Sequence, residues 1–142
     1  MNLLDAFAHP HAPDLSLVAH APLVVRIHLI AALGAFGVAT LQIFGPKGTL
    51  PHRTLGWIWV VFMATVAISS FFIHAINPQG FSLIHLLSVL TLIGLPMLVL
   101  AARRHDVKAH RRHAINLYLG ALVGAGIFTF LPGRLMWRIF FG

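Results

Sequence analysis

Cysteine is absent from the 142 residues, which excludes disulfides, thiolate metal sites and cysteine nucleophiles and leaves any metal to His, Asp, Glu, Met or backbone ligands. Acidic residues are scarce as well: Asp5, Asp14 and Asp106 are the only three, and none falls in a long apolar run. A proton-driven transporter built on an intramembrane carboxylate is therefore not expected. Nor is a metallohydrolase of the HExxH type, since that motif does not occur. Charged residues of both signs reach only 9%, against about 25% in a soluble domain. Together with 58% hydrophobic residues and a mean hydropathy of +0.88, this scarcity points to a chain dissolved in lipid.

Four apolar runs, at about 23–44, 55–76, 81–102 and 114–131, are separated by short clusters of Gly, Pro, His and basic residues. Each approaches the ~20 residues that a helix needs to cross ~30 Å of hydrocarbon. The expected fold is all-α, an integral membrane four-helix bundle with up-down topology. Its domain spans 22–133, an extramembrane arm covers 1–21, and 134–142 form a short interfacial tail mixing Trp137 with Arg134 and Arg138. Residues 1–20 contain no Lys or Arg, unlike the basic start of a signal peptide, so the first run reads as a retained helix.

The formal charge of +7 does not indicate nucleic acid, because the basic residues form no face with interleaved aromatics. They mark topology instead. Lys47 and Arg53 lie between the first two runs, and Arg103, Arg104, Lys108, Arg111 and Arg112 between the last two, whereas the turn at 77–80 has none. By the positive-inside rule both basic loops face the cytoplasm and both termini lie outside it. The expected location is the bacterial cytoplasmic membrane, with the lipid bilayer as first partner.

The basic loops also repeat. Lys47 to Arg53 and His105 to Arg111 each end in a His-Arg pair, His52-Arg53 and His110-Arg111; His28 and His85 precede those histidines by 24 and 25 residues. The chain reads as two copies of one helical hairpin, related by an axis along the membrane normal. That axis pairs His28 with His85 near the outer surface and His52 with His110 near the inner one. Helical spacing aligns His28 with Ala31, Ala35 and Ala39, and His85 with Ser88. Gly120 and Gly124, and the alanines of the first run, mark faces for close helix contact.

Three functions fit. A b-type haem takes one imidazole from each side, and helices one and three of an up-down bundle are diagonal, about 13 Å apart when neighbours are 8–10 Å apart. The chain would then carry electrons, to a quinone or within a larger membrane complex, with His28 and His85 as outer axial ligands and His52 and His110 as inner ones. The alanine strip under His28 would make room for the porphyrin. Alternatively, His28, His74 and His85 hold a bare zinc or copper ion. Thirdly, the histidines only anchor helix ends, and the chain is a non-catalytic subunit with no cofactor.

The residues Lys47-Gly48-Thr49, His52-Arg53 and Gly56, the run Ala102-Arg103-Arg104, and His110-Arg111-Arg112 followed by Tyr118 resemble the DUF2306 family of predicted four-helix bacterial membrane proteins. The resemblance covers about residues 22–135 and departs from the family at His113-Ala114, where Trp-Met is common. It implies a small four-helix membrane protein of unassigned activity and transfers no catalytic residues.

Overall fold

The computed structural model describes residue 7, residues 10–73 and residues 83–141. Among these the chain is helical throughout, without strands. After a single turn, α1 (Ser16–Ala19), come α2 (Leu23–Phe44), α3 (Leu50–Ser70) and α4 (Leu83–Arg103). A fourth helical run follows, made of α5 (Val107–Asn116), a π-helical segment (Leu117–Gly124) and α6 (Ala125–Thr129). Helix α7 (Leu135–Phe140) closes the chain. Three helices, α2, α3 and α4, are long and apolar enough to cross a membrane. The fourth run opens with Lys108, Arg111 and Arg112 and becomes apolar only beyond Asn116.

Helix α2 has the expected bounds, because Pro22 precedes it and Gly45-Pro46 stops it. Lys47 Nζ then donates to the free carbonyls of Ile43 and Gly45, at 2.6 and 2.8 Å. Helix α3 begins five residues earlier than the apolar pattern indicated. Thr49 caps it by accepting the His52 N–H, and Pro51 sits in the first turn, where its missing N–H costs nothing. It stops at Ser70, followed by turn bonds from Phe71, Phe72 and Ile73 back to Ile68, Ser69 and Ser70. Helix α5 likewise starts seven residues early, capped by Asp106, whose Oδ1 accepts the Ala109 N–H at 2.9 Å. His52 and His110 thus belong to the first turns of helices rather than to loops.

Between α4 and α5 the chain turns in three residues, Arg104, His105 and Asp106. The His105 N–H reaches the Ala102 carbonyl and the Asp106 N–H reaches that of Ala101, a Schellman closure with His105 left-handed at φ 56°.

Helix α2 packs on α3, α3 on α4, and α4 on α5; the π-helical segment touches both α4 and α2. The α2–α3 contact sets Ala31, Ala35 and Ala39 on one side and Trp59, Met63 and Ala67 on the other, each row at a spacing of four. Gly34 lets the Phe62 ring approach closely there: a Cβ would lie 2.8 Å from the end of the ring, which would have to shift. The core continues through Leu95, Leu98, Leu117 and Leu122. Around it the usual distribution is inverted. Ser69, Ser70, Ser88 and Thr91 are buried, while Leu33, Phe36, Leu41, Val61, Leu90 and Ile93 are exposed. A small and polar interior under a large apolar exterior suits lipid as the solvent.

Two expectations are corrected here. The alanine strip beneath His28 leaves no slot, because Trp59 and Met63 close over it; Ala35 and Met63 are 0% and 1% exposed. The pair Gly120 and Gly124 makes no interhelical approach. A Cβ on Gly120 would meet nothing within 4 Å, and one on Gly124 only its own helix at Leu119. Both lie in the π-helical segment, whose i→i+5 bonding turns residues away from the faces that an α-helix would give them.

The described part of the N-terminal arm is held by the tail. The His11 and Asp14 N–H groups donate to the Phe140 and Ile139 carbonyls, at 2.9 and 3.0 Å, and Ile139 is buried. Asp14 accepts from the N–H and hydroxyl of Ser16, which holds its carboxyl below the usual carboxylate range.

Candidate functional site

The four histidines of the hairpin repeat are all half-buried. In the inner layer, His52 is the third residue of α3 and His110 the fourth of α5, and their ring centroids lie 6.4 Å apart with the planes at 75°. His110 Nδ1 is 3.2 Å from the Leu98 carbonyl of α4. A carbonyl only accepts, so Nδ1 carries the proton and Nε2 of the neutral ring keeps its lone pair.

On or against the face of α3 that carries His52 are two groups that the pattern of histidines did not single out. Gln42, near the end of α2, reaches α3 at Gly56, where a Cβ would stand 3.8 Å from its Nε2. Trp59 is two turns along α3 from His52, on the same face, and 6% exposed. Gln42 Nε2 and Trp59 Nε1 are buried donors without a hydrogen-bond acceptor among the described residues. The signal for Trp59 was its seven-residue spacing from His52.

In the outer layer, His28 Nδ1 is 2.9 Å from Ser69 Oγ. The Ser69 hydroxyl lies 2.6 Å from the Thr65 carbonyl, which takes its one proton. The imidazole is therefore the donor, and His28 is anchored on α3 through Nδ1 at Ser69 and by a further contact with the Val66 backbone. His85 meets the Phe71 ring, at 5.7 Å between centroids with the planes tilted by 39°. Ser88, which shares the helical face of His85, is bonded to Ser70 across the α3–α4 contact at 2.5 Å.

The inner pair is thus brought together. The outer histidines are both engaged at the end of α3, His28 with Ser69 and His85 with Phe71, and the described ring contacts do not join them to each other. His74 lies outside the described residues, and with it the trio His28, His74 and His85. Among the described residues no group of three His, Cys, Asp or Glu side chains is arranged to hold a metal ion.

No family model matches the chain, and no curated relative or solved structure is significantly similar to it.

Proposed function

We propose that this chain is a four-helix membrane protein, built from two like hairpins, that carries a b-type haem between His52 and His110 and serves in electron transfer. The observation that carries this reading is the 6.4 Å separation of the two imidazole rings. With metal–nitrogen bonds of about 2.0–2.1 Å, two imidazoles on opposite sides of one metal have centroids roughly 6.3 Å apart. The Leu98 carbonyl supports it by fixing the His110 tautomer that leaves Nε2 basic. Arg53 and Arg111 follow the two histidines in sequence and would supply counter-charges for propionates.

Ligand count favours haem over a bare ion. Haem iron asks the protein for two axial groups, whereas zinc takes three or four. Among the described residues the inner layer offers two histidines and no group of three ligating side chains. A second haem at His28 and His85 would require α2 and α3 to part, since the alanine strip is filled. The outer histidines are read as ties between helix ends. A quinone or a larger membrane complex is the class of electron partner, and the resemblance to DUF2306 adds no activity.

Single replacements test the assignment. His52→Ala and His110→Ala should each abolish the Soret band of protein made in haem-sufficient cells, while His20→Ala leaves it unchanged. Loss of the band in His28→Ala and His85→Ala, with both inner variants intact, would move the haem to the outer layer. A stoichiometric zinc or copper without a Soret band would replace haem by a bare ion.

A further inference from the structure

A shallow apolar groove runs along the outside of the α3–α4 contact, floored by Val60 and Ala64 of α3 and by Leu92, Pro96 and Val99 of α4, and ending at Arg103. At 1.5 Å per residue, Leu92 to Arg103 spans about 16 Å. That is close to one leaflet, half of a ~30 Å hydrocarbon core. Ala64 and Pro96 keep the floor low, whereas the outer end of the same helix pair is drawn together by Ser70 and Ser88. Its inner end is strongly positive. Arg103 and Arg104 at the end of α4, and Lys108, Arg111 and Arg112 on α5, are accompanied there by one acid, Asp106, which is occupied capping α5. Among the described residues no other acid accompanies this end.

We infer that the α3–α4 groove holds an anionic phospholipid of the leaflet facing the basic loops, with one acyl chain along Ala64 and Pro96 and its phosphate at Arg103. The site rests on α3 and α4 lying in a membrane and is independent of the haem. Length and charge together select this occupant. An acyl chain matches the groove, and an anionic headgroup matches its basic end, where each cation near a membrane surface contributes about 1 kcal/mol of attraction to anionic lipid. A zwitterionic lipid would fill the groove without meeting the charge.

Native mass spectrometry of the full chain released from detergent tests this, with phosphatidylglycerol and phosphatidylcholine of identical acyl chains as probes. Phosphatidylglycerol should stay bound at collision energies that strip phosphatidylcholine. Ala64→Phe, which raises the floor, should abolish retention of both lipids. Arg103→Glu, which leaves the groove intact, should remove the preference for phosphatidylglycerol, and Arg138→Gln at the other end of the protein should not. If Ala64→Phe does not fold, Arg103→Glu decides alone. Equal retention of the two lipids by the wild type, an unchanged preference in Arg103→Glu, or a co-purified isoprenoid quinone that excess phosphatidylglycerol does not displace would each overturn the inference.

Discussion

At the scale of single residues, the turn between α4 and α5 exposes the cost of a side chain in the wrong conformation. His105 takes the left-handed position that glycine fills at most Schellman ends, at an expense of about 1 kcal/mol for an L-residue. His105→Gly should therefore raise the unfolding midpoint in detergent, and His105→Val should lower it; equal midpoints would show that the turn is not under strain. The same scale separates what the sequence reveals about the histidines from what it conceals. The spacing of His-Arg pairs brings His52 and His110 to one layer on paper, and they meet in the fold. The Leu98 carbonyl that orients His110 is a backbone atom of another helix, so no residue pattern could announce it. Nor could alanine spacing tell whether the strip under His28 is vacant. That depends on Trp59 and Met63 of α3 turning toward it.

At the scale of elements, helix ends follow local capping more than hydropathy. Breakers delimit α2 on both sides, and there the apolar pattern succeeds. It fails at α3 and α5, whose first turns carry Pro51, His52, Arg53, Lys108 and Arg111 and so look like loops. Thr49 with Pro51, and Asp106, were the readable start signals. Asp106→Ala should destabilise the protein by about 1 kcal/mol through loss of the α5 cap, detectable as increased exchange of the first α5 amides. Between elements, the Ser70–Ser88 bond joins α3 to α4 in the buried interior. A double-mutant cycle on Ser70→Ala and Ser88→Ala should give a coupling of roughly 0.6 kcal/mol, the average for interhelical hydrogen bonds in lipid, and at most about 1.7 kcal/mol. Additive effects would mean that each hydroxyl serves only its own helix, through Ala67 and Ile84. The π-helical segment was not legible, since neither Gly120 nor Tyr118 specifies i→i+5 bonding.

At the scale of the whole molecule, the distribution of Lys and Arg predicts that the basic loops face the cytoplasm. A reporter fused after Gly142 should be active outside the cytoplasm and one inserted near Asp106 inside; the reverse would invert the orientation and transfer the inner histidine layer to the outer surface. The arm and tail meet through His11, Asp14, Ile139 and Phe140, so truncation before Leu135 should make residues 10–22 accessible to protease. The central claim is that His52 and His110 hold one iron between them. The pyridine haemochrome of wild-type protein, purified from haem-sufficient cells, tests it most directly. The account predicts one b-type haem per chain, low-spin in the native spectrum as two imidazole ligands would make it, and no haem content when His52 and His110 are both alanine. Wild-type protein that folds and carries no haem would contradict it.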